Sequence, residues 1–126
     1  MSAREAMQCV QEGMARQQQG DWSGALRCFE RARRIDPARG NQISVANCLT
    51  KLARYDEALR ICDTVLGEER DYTPAVFAKI DALLGAKRYQ ELIEYTEWLA
   101  SELGAGNILK VKEARETALR HVGGRA

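Results

Sequence analysis

The sequence has 126 residues, a formal net charge of +1 and 29% charged residues of nearly balanced sign. This length suits one domain, and the balanced charge excludes a strong electric field around it. A nucleic-acid-binding domain usually has a basic face and a high pI, whereas the pI here is about 7.7. Arginines cluster between Arg31 and Arg39, but Glu30 and Asp36 dilute them, so we expect no nucleic-acid partner.

A membrane-spanning segment is not expected either, because no apolar run approaches the roughly 20 residues that a bilayer requires. Residues 1–11 include Arg4 and Glu5 and have no continuous apolar core, so they do not resemble a secretory signal. For a complete chain, these features predict a cytoplasmic protein.

The sequence is rich in good helix formers and contains only two prolines. Apolar residues recur with helical spacing in seven segments. Pro37 ends the second segment, Pro74 begins the fifth, and residues 104–107 separate the last two. This pattern predicts helices over residues 3–18, 22–35, 40–52, 56–67, 74–86, 89–103 and 108–121, followed by a flexible tail at 123–126.

An internal repeat relates these helices in pairs. Trp22, Tyr55 and Tyr89 recur about every 34 residues, each three positions before a small or aliphatic residue. This period is typical of helix-turn-helix units that stack on copies of themselves. The predicted fold is therefore all-α, an α-α superhelix of three antiparallel hairpins in one domain, 1–122. Its units are expected at about 6–38, 39–72 and 73–106, with a capping helix at 107–122.

The first unit resembles the tetratricopeptide repeat family in its small, turn, aromatic and closing residues. These are Gly13, Gly20, Asp21, Trp22, Ala25, Phe29, Ala32, Asp36 and Pro37. The second unit keeps Ala46, Tyr55 and Ala58 but has Cys62 in place of the large aromatic residue. The third keeps Tyr89 but has Leu92 and Thr96 in place of the alanine and the aromatic residue. The resemblance implies a protein-binding, non-catalytic function.

In this family the first helix of each unit lines a concave surface, so the resemblance implies a groove there. Positions i, i+3, i+7 and i+10 of those helices face the groove. The candidate residues are Met7, Val10, Met14, Gln17, Ile43, Asn47, Thr50, Phe77, Asp81 and Leu84. They describe a mostly apolar groove with Asn47 and Asp81 at its centre. The alternative for the apolar members is that they pack in the core.

Family members that bind the acidic C-terminal tails of heat-shock chaperones hold a carboxylate with lysine, arginine and asparagine on the concave surface. The matching positions in this sequence are Val10, Met14, Ser44, Pro74 and Ala78. The resemblance therefore implies that this clamp is absent. A hydrophobic or amphipathic segment of a partner is expected instead.

Residues that could carry chemistry are few. Cys9, Cys28, Cys48 and Cys62 show no CxxC or CxxH spacing, and His121 is the only histidine. We expect buried or half-buried thiols, no enzyme activity, no cofactor and no metal. A redox or metal protein built on the four cysteines is the alternative to this interpretation.

The sequence thus predicts an adaptor or assembly scaffold that binds a peptide or helix of a partner protein. A second interpretation is a structural subunit that forms homo-oligomers. Its interface would use the exposed edge of the third unit, with Tyr95, Trp98 and Leu103, or the last helix.

Overall fold

The structure, a computed structural model, describes residues 2–123 and contains seven helices in this range. They are α1 Ala3–Gln18, α2 Trp22–Ile35, α3 Arg39–Lys51, α4 Tyr55–Glu68, α5 Thr73–Gly85, α6 Tyr89–Leu103 and α7 Leu109–Gly123. The first six begin and end within about one residue of the predicted bounds. Gly123 still belongs to α7, so the predicted tail begins too early, and 124–126 lie outside the described residues.

The helices form the predicted hairpins. Each helix contacts the next along the chain, and α3 also contacts α5, which in turn contacts α7. The first helices of the units (α1, α3 and α5) therefore form an inner layer with α7, and α2, α4 and α6 form an outer layer. This arrangement confirms an all-α stack of three hairpins with a seventh helix at its end.

The turn inside each hairpin reverses the chain through one residue with a positive φ angle. In the first unit this residue is Gly20, with φ 76°. The same place is taken by Ala53, with φ 60°, and Lys87, with φ 59°. Glycine adopts this left-handed conformation without the steric cost that a Cβ atom brings. The second and third turns are therefore more strained than the first.

One apolar core runs between the two layers through all three units. Its largest fully buried apolar side chains are Phe29, Ile80, Leu83, Leu92, Leu99, Val45, Val65 and Val111. Val111 comes from α7, which also buries Ala114 and Ala118. The imidazole ring of His121 stacks on Tyr89 with 4.3 Å between ring centroids. Helix α7 therefore covers the apolar end of the third unit, as a cap must. Within residues 2–123 no helix combines the length and apolar character needed to span a bilayer.

Candidate partner-binding groove

The inner layer contains a cleft of about 670 Å³ to which all three units contribute. We call it the central cleft, and it lies at the C-terminal halves of α1, α3 and α5, beside the starts of α2 and α4. Its lining residues are Gln17, Trp22, Asn47, Thr50, Lys51, Tyr55, Asp81 and Gly85. Asn47, Lys51 and Asp81 are exposed to solvent, so a ligand could reach polar groups from two of the units.

Four of the residues predicted from the helical stripe meet in this cleft. Asn47 and Asp81 are exposed, and Gln17 and Thr50 are half-buried. They come from three different helices, so the register assumed for α1, α3 and α5 brings them to one surface. Their role in binding a partner stays a prediction.

The other apolar candidates lie outside the cleft lining. Met7 and Met14 are 62% and 52% exposed on the same stripe of α1 as Gln17. Val10, Phe77 and Leu84 are half-buried and pack against the core. The central cleft therefore contains the polar candidates, Asn47 and Asp81 among them, and the exposed methionines lie along α1 outside its lining.

Ile43 was predicted to face the groove, and this prediction is wrong. Its side chain is 3% exposed and belongs to the core. Helix α3 is flanked by α2, α4 and α5, whereas α1 at the end of the stack packs mainly on α2. A central helix therefore buries a wider part of its surface, and Ile43 falls inside that part although Val10, in the same register, stays half-buried.

Four residues of the central cleft were missed by the sequence analysis. Trp22 and Tyr55 had been identified as markers of the repeat, but not as parts of a surface. Lys51 and Gly85 directly follow Thr50 and Leu84, where the predicted stripe stopped. All four residues lie at the end of a first helix or the start of a second helix. The predicted turn of each hairpin was therefore the sequence feature that could have identified them.

The charges of the cleft are arranged unevenly. Lys110 Nζ, from α7, lies 2.7 Å from Asp81 Oδ1 and 5.5 Å from the centroid of the Phe77 ring. Lys51 Nζ lies 5.4 Å from the centroid of the Trp22 ring, and no carboxylate of the described residues pairs with it. The carboxylate of the cleft is thus already neutralised, while one ammonium group is held only by an aromatic face.

The floor of the cleft depends on the absence of a side chain at Gly85. A Cβ atom there would lie 2.6 Å from Cε1 of Tyr55, closer than real Cβ contacts allow. Nearby, Gln17 Nε2 lies 3.9 Å from Cys48 Sγ, which ties the amide of α1 to α3. The missing side chain at Gly85 therefore leaves room for the Tyr55 ring, and the Gln17 amide lies within reach of the Cys48 sulfur.

The prediction of buried or half-buried cysteines is confirmed. All four are free thiols, and Cys28 alone of the four is half-buried rather than buried. Burial raises the pKa of Cys48 to about 11 and that of Cys62 to about 12. These two thiols are therefore protonated near neutral pH and poor nucleophiles. Among the described residues, no group of three or more His, Cys, Asp or Glu side chains is placed to hold a metal ion.

Comparison with known proteins supports the resemblance given by the sequence. The family model described as "Tetratricopeptide repeat" matches residues 6–39. No curated protein sequence matches the chain.

Solved structures match nearly the whole chain. The first tetratricopeptide domain of Spaghetti (RPAP3), bound to the HSP90 peptide SRMEEVD, is 16% identical with a TM-score of 0.80, over 98% of this chain and 97% of that one. The TPR2B domain of yeast Sti1, in a complex with an Hsp70 peptide, is 18% identical with a TM-score of 0.79, over 94% and 99%. The Sgt2 domain from Aspergillus fumigatus is 19% identical with a TM-score of 0.81, over 97% and 83%. These likenesses show the fold.

Proposed function

We propose that this chain, which has the tetratricopeptide repeat fold, is a non-catalytic adaptor that binds a segment of a partner protein in the central cleft. The observation that carries the proposal is the cleft itself, to which all three units contribute side chains. The similar domains of Spaghetti and Sti1 were solved with chaperone peptides bound. Their fold supports peptide binding as the kind of function, without identifying the peptide.

The chemistry of the cleft suits an extended peptide. The side-chain amides of Gln17 and Asn47 can each donate and accept a hydrogen bond, which is what a peptide backbone requires. Trp22 and Tyr55 offer aromatic faces on which an apolar side chain of the ligand can pack. Lys51 adds a cation with no carboxylate partner among the described residues. The expected ligand therefore combines an apolar side chain with backbone hydrogen bonds, rather than being wholly apolar.

The chaperone tails bound by the similar domains are not proposed as ligands here. The positions that would carry the carboxylate clamp are Val10, Met14, Ser44, Pro74 and Ala78. The hydroxyl of Ser44 donates to the carbonyl of Gly40 in its own helix, and Ala78 is buried. These side chains provide no cation for a terminal carboxylate, so we expect a different class of peptide.

Homo-oligomer formation through the third unit gains no support. Of the three residues suggested for that interface, Tyr95 and Leu103 are half-buried against the core, and Trp98 is 36% exposed. Four free thiols fit a reducing compartment, and for this reason we propose the cytoplasm as the place of action.

The test begins with a selection of random peptides displayed on phage, with the purified protein as bait. The affinity of a recovered peptide is then measured by calorimetry for the parent and for the double variant Gln17→Ala/Asn47→Ala. We expect binding to weaken by about tenfold or more, because each lost hydrogen bond costs roughly 0.5–1.5 kcal/mol.

The matched control is Gln8→Ala, which removes the same amide from an exposed position on the other side of α1. This control is expected to bind as the parent does. Equal binding by the parent and the double variant would place the ligand elsewhere and refute the central cleft as the site. Failure to recover any peptide would refute peptide binding as the function.

A further inference from the structure

The outer face of α2 carries a row of exposed arginines, well separated from the central cleft. Arg27, Arg31 and Arg34 are spaced i, i+4 and i+7, so their side chains leave α2 on one side. All three are exposed to solvent, and the row extends roughly 10 Å along the helix axis. We call these three residues the arginine stripe.

The arginine stripe has no ion-pair partner within the described part of the chain. The ion pairs found there engage lysines and other arginines, such as Arg16 with Asp21 at 2.9 Å and Arg39 with Glu69 at 3.2 Å. Glu30 and Asp36 reduce the net charge of this region without pairing directly with the stripe. Neither carboxylate lies within ion-pair distance of a stripe guanidinium, and the Asp36 carboxylate accepts from Ala38 N instead.

A second, smaller cleft opens beside the stripe. It has a volume of about 230 Å³, lies between α1 and α2, and is lined in part by Arg27, Arg31 and Gly24. The space beside Gly24 is filled by the side chains of Asp21 and Arg16, so the cleft lies above these groups rather than reaching the backbone of α2. A short acidic side chain of a partner could enter it and meet two guanidinium groups.

We propose that the arginine stripe is a second docking surface, and that its occupant is an acidic helical segment of a partner protein. Carboxylates at positions i, i+4 and i+7 of such a helix match the spacing of the three arginines. Planar guanidinium groups bind carboxylates through paired hydrogen bonds, so the match is geometric as well as electrostatic. The stripe lies on the outer layer and the central cleft on the inner one, so both can be occupied at once.

A nucleic acid fits this surface less well. Proteins that bind nucleic acid commonly contact about 6–10 phosphates, whereas the stripe offers three guanidinium groups. Glu12 also lines the small cleft, and Glu30 lies on α2 beside the stripe. Both would repel a continuous row of phosphates, but a helix with separated carboxylates can avoid them.

The test uses a synthetic helical peptide that carries glutamates at i, i+4 and i+7 on an alanine and glutamine background. An isomer with the glutamates spread around the helix serves as the comparison. The triple variant Arg27→Gln/Arg31→Gln/Arg34→Gln is expected to bind the first peptide about tenfold more weakly than the parent, since it loses three exposed ion pairs, each of which contributes modestly. The matched control is Arg4→Gln/Arg60→Gln/Arg120→Gln, which removes the same charge from exposed arginines on other helices.

Selective loss in the stripe variant, with little change in the control and weaker binding of the isomer, would support the proposal. Equal loss in both variants would show a response to net charge alone and overturn it, as would equal binding of the two peptides. Tighter binding of a single-stranded oligonucleotide than of the peptide would assign the stripe to nucleic acid. A rise in molecular mass with concentration, abolished only in the stripe variant, would make the occupant a second copy of this chain.

Discussion

The first and third units have side chains of opposite size at corresponding positions of their two helices. In the first, Gly13 of α1 lies under the ring of Phe29, and a Cβ atom on Gly13 would be 2.8 Å from that ring. At the corresponding places of the third, Ile80 is the large residue of α5 and Thr96 the small residue of α6, and both are fully buried.

In both units one of the two positions is large and the other small, and both are buried, so we expect the sum of the two volumes to matter more than their order. A close-packed interior needs the space between two helices filled, and either helix can fill it. The buried hydroxyl of Thr96 is satisfied because it donates to the carbonyls of Leu92 and Ile93 at 2.9 and 3.0 Å. The family model matches only residues 6–39. In this unit the small residue lies on the first helix and the large residue on the second, as in the repeat that the first unit resembles.

The largest expected effect comes from disturbing this interface in the first unit. Phe29 is fully buried, so Phe29→Ala is expected to lower the free energy of unfolding by about 3–5 kcal/mol. Gly13→Ile alone would force a branched side chain into the space of the ring and is also expected to destabilise strongly. Together they recreate the order of the third unit, so the double variant is expected to lose about 0.5–3 kcal/mol less than the sum.

These free energies can be measured by urea unfolding followed by far-UV circular dichroism. The control pairs Gly13→Ile with Phe77→Ala, whose side chain lies in another unit and makes no contact with Gly13. The control pair is expected to be additive. Additivity in the Gly13 and Phe29 pair as well would mean that an isoleucine at position 13 does not fill the space that the phenylalanine ring leaves.

A smaller effect is expected from exchanging the turn residues of the units. Gly20→Ala would place a Cβ atom at φ 76° and is expected to cost about 1–2 kcal/mol. Lys87→Gly and Ala53→Gly would remove that strain from the other turns and are expected to stabilise by up to about 1 kcal/mol each. Thermal unfolding measures all three. Destabilisation by both glycine substitutions would show that the second and third turns are not strained.

The extent to which the sequence predicts this molecule differs between fold and site. Periodicity and the positions of Pro37 and Pro74 place the helices closely, because these signals are local. Exposure is not local, and Ile43 was misplaced because neighbouring helices decide how much of α3 is buried. Ion pairing is not local either. Acidic residues near Arg27 and Arg31 in the sequence therefore could not show whether these arginines form ion pairs.

The smallest expected effect concerns the start of the second helix in each unit. Asp21 caps α2 by accepting from Gly24 N at 2.9 Å, whereas Arg54 and Arg88 occupy the same place in the other units. Arg54 pairs with Glu57 at 2.8 Å. The hydrogen bond from Gly24 N, followed by that from Arg16, holds the pKa of the Asp21 carboxyl below its usual value. The pKa of Glu57 is lowered chiefly by its hydrogen bond from Arg54.

A lowered pKa in the folded state means that the charged form of each carboxyl stabilises the fold. This contribution is present above the pKa of the unfolded chain and is lost as the pH falls through the folded pKa. Asp21→Asn keeps a cap of similar strength but has no charge to lose. The stability difference between the parent and this variant should therefore be largest near neutral pH and shrink towards zero in acid, as measured by unfolding at a series of pH values.

The contributions of Asp21 and Glu57 to stability are expected to respond differently to salt. Glu57→Gln removes an exposed ion pair, whose contribution is screened at high ionic strength, so its effect at neutral pH should nearly vanish in concentrated salt. The main partner of Asp21 is a backbone N–H group, and this short hydrogen bond responds less to screening. The effect of Asp21→Ala should therefore persist in the same salt. If both effects vanished together, Asp21 would act mainly through Arg16, and the first unit would start its second helix in the same way as the others.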